Sequence, residues 1–278
     1  MKVGIVGLGL IGGCLGIDLK AAGHQVYGVA RRAETGQQAR GWNMVDYAST
    51  HLDSLVPCDI VFICTPIATI VPTVIALAKV LKPTTVITDV GSVKAAVVEI
   101  STQRWPRFVG GHPMSGKSEA GLAAAEVGLF QENSYVITPV QQTDENAIAL
   151  VEQLATQLGS RIYRCTPAAH DRAVAWISHL PVMASSSLIQ AVCNEPDSTV
   201  RELAEQLASS GFRDTSRVGG GNPELGLMMA QYNRDEVLRS LKRYRQSIDQ
   251  IIQVLEIENW QALERRLQET KLSREHYV

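Results

Sequence analysis

Gly7-Leu8-Gly9-Leu10-Ile11-Gly12 sets three glycines in the spacing G-x-G-x-x-G, directly after the apolar run Lys2–Val6 and at the start of a helix-forming stretch. In that context the spacing suits a dinucleotide. Gly7 permits a tight turn, Gly9 lets the backbone approach a pyrophosphate, and Gly12 lets helix and strand pack closely. Leu10 and Ile11 open the helix whose free N–H groups would face the anion. About 20 residues on, an NAD enzyme places Asp or Glu against the adenosine ribose. Here the chain reads Arg31-Arg32, with Thr35 close behind. Two guanidiniums suit a 2′-phosphate, at about 1.5–3 kcal/mol per charge-assisted hydrogen bond. The expected cofactor is NADP.

Ligands of open α/β sheets bind beyond the carboxyl ends of the strands. Three segments reach that edge: Cys64-Thr65-Pro66, Asp89–Lys94 and Gly110–Gly116. Cys64, Thr65 and Pro66 are expected to border the nicotinamide. His112 stands just past a strand end, where a neutral imidazole accepts a hydroxyl proton as hydride leaves the adjoining carbon. Ser92 suits a bond to the same hydroxyl or to His112, and equally an N-cap for the helix that follows. Asp89 and Lys94 read as structural. Arg213 and Arg217 flank Asp214-Thr215-Ser216 in a turn-like segment, which fits a carboxylate anchor and, equally, a surface ion pair with Asp214. His170 and His179 are nine residues apart, about 900° around a regular helix. They therefore point oppositely and share no metal. From spacing alone, His179 reads as a core histidine.

These residues need a scaffold. Lys2–Val6, Gln25–Val29, Ile60–Cys64, Thr85–Asp89, Phe108–Gly110 and Tyr135–Thr138 read as short strands buried on both faces. Helical stretches at Ile11–Ala22, Ile67–Leu81, Val93–Gln103 and Asp144–Leu158 alternate with them. The expected fold is an α/β N-terminal Rossmann-type doubly wound sheet over residues 1–165. Beyond it, residues 166–278 read as all helix: a long Pro167–Cys193 kinked at Pro181, Ser198–Ser209, a helix opened by Asn222-Pro223, and Arg234–Leu267. A helix apolar all round must be covered on every side. The C-terminal part is therefore expected to be a dimerisation domain that packs against its copy in a homodimer.

Composition narrows the functional classes. The 278 residues are 45% apolar and 19% charged, with a net charge of −2. The basic and acidic residues balance in both halves, so nucleic acid has no electrostatic footprint. The uncharged runs Ile60–Ala78 and Ala173–Asn194 are long enough for a membrane span. Pro66 and Pro72 break the first, and His179, Pro181 and Ser185-Ser186-Ser187 suit lipid poorly, so both read as buried soluble segments. Glycines stand where a signal peptide needs an apolar core. Five cysteines without C-x-x-C or a Cys/His cluster point to a cytoplasmic protein without structural metal.

Gly7–Gly12, Asp89–Lys94 (D-V-G-S-V-K), Gly111–Gly116 (G-H-P-M-S-G), Ser178–Pro181 (S-H-L-P), Gly211–Arg217 (G-F-R-D-T-S-R) and Gly221-Asn222-Pro223 occur in this order. Together they resemble the prephenate/arogenate dehydrogenase family of tyrosine biosynthesis, over nearly the whole chain. The resemblance implies oxidative decarboxylation of a cyclohexadiene. By it, His112 accepts the 4-hydroxyl proton, Ser92 assists, His179 moves from core to substrate pocket, and Arg213 anchors a carboxylate with support from Arg217. The arginines after the second strand look like the arogenate branch, which forms L-tyrosine with NADP. The alternative is prephenate to 4-hydroxyphenylpyruvate with NAD or NADP. The length leaves no room for a fused mutase or regulatory domain. Glu224-Leu225-Gly226 stands where many relatives carry an aromatic residue. A related hydroxyacid dehydrogenase would need a lysine on the long helix, and none lies between Asp171 and Glu195. A redox sensor would share the glycine turn but would not need His112 beside Arg213.

Overall fold

A computed structural model describes residues 1–117 and 119–277. The strands are β1 (Lys2–Val6), β2 (Gln25–Val29), β3 (Tyr47–Ser49), β4 (Ile60–Ile63), β5 (Val86–Asp89), β6 (Phe108–Pro113), β7 (Ser134–Thr138) and β8 (Arg161–Arg164). They form one sheet in the order β3-β2-β1-β4-β5-β6-β7-β8. Neighbours run parallel except β6 and β7. Helices α1 (Leu10–Ala21), α2 (Ala33–Gly41), α3 (Ile67–Leu77), α4 (Ala95–Arg104) and α5 (Glu145–Gln157) connect or flank them. Side chains alternate across each strand. Ile60 and Phe62 enter the apolar cluster with Leu15, Leu19, Val151 and Leu154, while Val61 and Ile63 enter the one with Ile70, Val74, Leu77 and Val97. The sheet is thus covered on both faces, α1 and α5 on one and α3 and α4 on the other.

Three features depart from the sequence expectation. β3 and β8 are short edge strands, and β8 is mostly exposed, so neither carries the apolar run that marks a buried strand. β6 and β7 pair antiparallel. Among its described residues, the chain between them forms only a short 3₁₀ turn at Leu122–Ala124, without the helix that a parallel crossover needs. His112 lies inside β6 opposite Val136, not past its end. The parallel pairing of β6 with β5 stops at Val109, so His112 still occupies the carboxyl edge of the parallel strands.

After Arg164 the chain is helical: α6 (Pro167–Val174), a π-turn at Ala175–His179, α7 (Leu180–Cys193), α8 (Ser198–Leu207), α9 (Ser210–Ser216), α10 (Pro223–Tyr232), α11 (Arg234–Glu256) and α12 (Trp260–Arg274). The expected kink at Pro181 is replaced by the wide turn just before it. Pro181 then sits in the first turn of α7, where a missing N–H costs no helical bond. The expected helix Arg234–Leu267 is broken at Glu258, whose φ is +51, and Asn259 restarts it by accepting from Ala262 N at 3.1 Å. Asn222 caps α10 with Pro223 in its first turn. Within this chain α7 buries only Leu180 and Ser185. Leu203, Leu207, Ile248, Ile252 and Leu255 on α8 and α11 stay exposed, so the helical part carries more apolar surface than its own chain covers. No helix among the described residues is long and apolar enough to cross a membrane. Of the cysteines, Cys14 and Cys58 are buried, Cys64 and Cys165 half-buried, and Cys193 exposed at the end of α7.

Asp89 and Lys94 form an ion pair with both side chains fully buried. Lys94 Nζ also donates to Gly111 O at 2.8 Å. Asp89 accepts from Gly91 N at 2.9 Å and Gly111 N at 3.3 Å. The pair fastens the end of β5 to the start of α4 and to β6. Burial lowers the Lys94 pKa, and the facing Asp89 opposes that shift. Replacing Lys94 by Met leaves the Asp89 charge without its counter-ion. Urea denaturation is expected to show a loss of about 3–5 kcal/mol; a loss below about 1 kcal/mol would mean that the backbone donors alone hold Asp89.

Candidate active site

The glycine turn joins β1 to α1. Gly7 has φ +100, and a Cβ there would lie 2.7 Å from Cys64 O. A Cβ on Gly12 would lie 2.0 Å from Gly7 O. Both glycines are therefore required by the protein's own packing. Gly9 is different: a Cβ would meet nothing within 4 Å, and the residue caps α1 without a side-chain hydrogen bond. The first N–H groups of α1 lack a side-chain cap, beside open space, which fits a pyrophosphate. Leu10 and Ile11, both half-buried, pack this first turn against the core.

Gly7 N donates to Val29 O at 2.9 Å, which sets the end of β2 beside the turn. Arg31 and Arg32 follow and are exposed, with Arg32 at the N-cap of α2 and Thr35 half-buried in its first turn. The only acidic residue of that turn is Glu34. Cys64 N donates to Val6 O at 2.7 Å, placing Cys64-Thr65-Pro66 on the other side of the glycine turn. Burial raises the Cys64 thiol pKa. Thr65 Oγ1 is buried without a partner, and Pro66 is the N-cap of α3.

At the adjoining edge, His112 Nδ1 lies 2.8 Å from His170 Nε2, and His170 Nδ1 lies 2.8 Å from Asp171 Oδ1. The rings of His112 and His170 meet edge to face at 5.0 Å. Asp171 also accepts from Lys94 N at 2.7 Å and Ala95 N at 2.8 Å. It caps α4 across the fold, a role that Ser92 leaves open; Ser92 Oγ is buried without a partner. The contacts fit one chain of proton positions. Carboxylate Asp171 requires a proton on His170 Nδ1. With His170 accepting at Nε2, His112 donates from Nδ1 and its Nε2 carries a bare lone pair. Burial, followed by the nearby His170, Lys94 and His179, holds the His112 pKa well below its ordinary value of 6.5. At neutral pH the imidazole is uncharged, as a proton acceptor must be.

His179 joins the same group. Asn233 Nδ2 donates to Asp171 O at 2.8 Å and to His179 Nδ1 at 3.1 Å. His179 therefore keeps its proton on Nε2, which is buried and has no partner. An orphaned buried donor of this kind fits an oxygen of a bound ligand. The opposite facing expected for His170 and His179 fails because of the π-turn. Its wider winding advances roughly 80° per residue instead of 100°, which removes about a quarter turn between them. The site also takes in His170, Asp171 and Asn233. Nothing in their spacing marks them, since the first two enter through a cap on a distant helix and the third through α11.

Arg213 and Arg217 are exposed. Arg213 pairs with Asp214 at 3.2 Å, the surface alternative that the sequence left open. The segment is a helix and a 3₁₀ turn instead of a loop. Ser185 on α7 fastens it, donating to Thr215 O at 2.8 Å and accepting from Gly219 N at 3.0 Å. Among the described residues, no hydrogen bond or ion pair ties either arginine to the histidines.

Gly9→Ala is expected to keep its urea stability within about 1 kcal/mol and to weaken dinucleotide binding at least about tenfold, read by titration of the cofactor. Unchanged binding would remove the pyrophosphate from this turn. Burial lowers the His179 pKa to about 4 from an ordinary 6.5, with Asp171 opposing and His170 adding to the shift. Between these values the unfolded chain binds a proton that the folded chain refuses. Stability is therefore present above about pH 6.5 and lost as pH falls toward 4, at up to about 1.4 kcal/mol per pH unit per histidine. Urea titrations across that window should show a shallower fall for His179→Asn than for the parent, and equal slopes would contradict a neutral buried His179.

Residues 15–164 match the prephenate dehydrogenase nucleotide-binding domain, and residues 166–269 match the prephenate dehydrogenase dimerization domain. The chain is 30% identical to prephenate dehydrogenase of Bacillus subtilis (strain 168), over 96% of this chain and 73% of that protein. Arogenate dehydrogenase of Synechocystis superposes with a TM-score of 0.90 at 50% identity, each chain covered in full. Prephenate dehydrogenase of A. aeolicus shares the fold, with a TM-score of 0.94 at 24% identity over 100% of this chain and 98% of that one. With both of its parts matched in order and its sheet, glycine turn and helical extension in place, the chain belongs to the prephenate dehydrogenase family, nucleotide-binding dehydrogenases with a C-terminal dimerization domain.

Proposed function

We propose that this chain is an arogenate dehydrogenase, converting L-arogenate to L-tyrosine and carbon dioxide with reduction of NADP. The observation that carries the chemistry is the 2.8 Å contact of His112 Nδ1 with His170, which leaves His112 Nε2 for the substrate. When bound, NADP supplies the acceptor for the hydride that leaves the ring carbon. Gly7, Gly9, Leu10, Ile11 and Gly12 would hold its pyrophosphate, Arg31, Arg32 and Thr35 its 2′-phosphate, and Cys64, Thr65 and Pro66 would border its nicotinamide. His112 takes the proton of the 4-hydroxyl, and Ser92 bonds the same oxygen through a hydroxyl that is otherwise unpartnered. His179 donates to substrate from Nε2. Arg213 and Arg217 bind carboxylate. Loss of carbon dioxide aromatises the ring and drives the reaction forward, so the protein has mainly to align the reacting groups and stabilise charge as it moves.

The choice of NADP rests on two arginines, without a carboxylate, immediately after β2. The choice of arogenate is supported by the Synechocystis relative at 50% identity. Prephenate with NAD or NADP is the second reading, favoured by the curated prephenate dehydrogenases at about 30% identity. In this proposal residues 1–165 bind the nucleotide, and residues 166–278 pack against a second copy in a cytoplasmic homodimer. The exposed apolar side chains of α8 and α11 support that assembly.

Steady-state assays crossing arogenate and prephenate with NADP and NAD test both specificities. Turnover confined to arogenate with NADP is expected; turnover of prephenate with NAD would replace both choices. Arg31→Ala and Arg32→Ala should each raise KM for NADP about tenfold and leave KM for NAD within about twofold. His112→Gln should lower kcat by at least about a hundredfold while NADP still binds, and normal turnover would remove His112 from the chemistry.

A further inference from the structure

The hydroxyl proton released during hydride transfer has to be held, and His112 alone is a poor holder. Its ring is buried, and Lys94 lies close enough to disfavour a second positive charge. His170 stands differently. Its Nδ1 already donates to Asp171 at 2.8 Å, and Asp171 is held as the cap of α4 by Lys94 N and Ala95 N. A cation on His170 would rest against a fixed anion. We propose that His170, backed by Asp171, stores the substrate proton: as that proton reaches His112 Nε2, the proton on His112 Nδ1 crosses the 2.8 Å contact to His170 Nε2.

This inference rests on the reaction proposed above and adds a positioning pair to it. The C–H bond breaks and its electron pair leaves as hydride to the cofactor. The O–H bond breaks, its proton goes to His112, and the carbon–oxygen bond gains double-bond character. The bond to the ring carboxylate then breaks, carbon dioxide departs, and its electron pair aromatises the ring and returns charge to the oxygen. The oxygen takes its proton back and both imidazole transfers reverse. The hydroxyl thus delivers no net proton to solvent. A closed chain of two buried imidazoles is enough, and no exit channel is needed. The charged and titratable groups around the chain include Asp171 on α6, the Cys165 thiol just before α6, His179 on the π-turn, Lys94 before α4 and Asp89 at the end of β5. Asn233 contributes only a neutral amide.

Two measurements test this. Histidine-selective ¹⁵N NMR of the substrate-free enzyme should show His112 protonated on Nδ1. Single-turnover hydride transfer from arogenate to NADP in mixtures of light and heavy water should give a curved proton inventory, with two protons in flight. In His170→Gln, whose amide oxygen still accepts from His112 but takes no proton, the inventory should become linear. The rate should fall about a hundredfold, with the NADP dissociation constant within about twofold of the parent. A proton on His112 Nε2, a linear inventory in the parent, or a His170→Gln rate within about threefold would overturn the proposal. The first two do not depend on the variant folding. The tautomer requires no substrate, so an enzyme inert toward arogenate and prephenate would defeat the proposed function, while Nδ1–H on His112 would still support the chain.

Discussion

Much of this molecule is organised around one carboxylate. Asp171 spends both oxygens on two backbone N–H groups at the start of α4 and on Nδ1 of His170. A helix N-terminus leaves its first N–H groups unpaired and carries partial positive charge. Most helices satisfy these from a residue just upstream. Here the cap arrives from α6, 77 residues later in the chain than Lys94. The same contact therefore docks the helical part against the sheet, satisfies the open end of a helix and sets the proton positions of the imidazoles. Removal of any one of these functions disturbs the other two.

Around that point, charge is handled by pairing and neutrality together. Lys94 and Asp89 are buried as a pair, each facing the other, and backbone groups fill their remaining valences. His112 and His179 are buried as neutral rings because their surroundings penalise protonation. The result is a site with fixed dipoles, an open acceptor on His112 and an orphaned donor on His179. Such a site requires little reorganisation when charge moves through it.

The legible parts of the sequence were those governed by local rules. G-x-G-x-x-G after an apolar run specified a turn, and Gly7 and Gly12 now have steric reasons for being glycine. Asn222-Pro223 and Asp144 marked helix starts that the fold keeps. Short, near-continuous apolar runs located the central strands. What stayed hidden depends on distance or on irregular geometry. β3 and β8 are too short and too polar to signal themselves. The antiparallel return of β7 follows from a missing helix, which is an absence in the sequence. His170 and Asn233 become site residues only through partners 58 and 54 positions away. Ser92 illustrates the same limit: its position before a helix suggested a cap, yet the helix takes its cap from elsewhere.

The π-turn at Ala175–His179 has a meaning in terms of residue counting. Its extra winding is equivalent to one inserted residue in an otherwise regular helix. Winding the same residues as a regular helix would swing His179 by about a quarter turn, away from Asn233, while leaving His170 undisturbed upstream. The helix would be better formed and the pocket would lose its donor. Helical regularity and the orientation of this histidine are therefore in opposition, and the fold has kept the orientation.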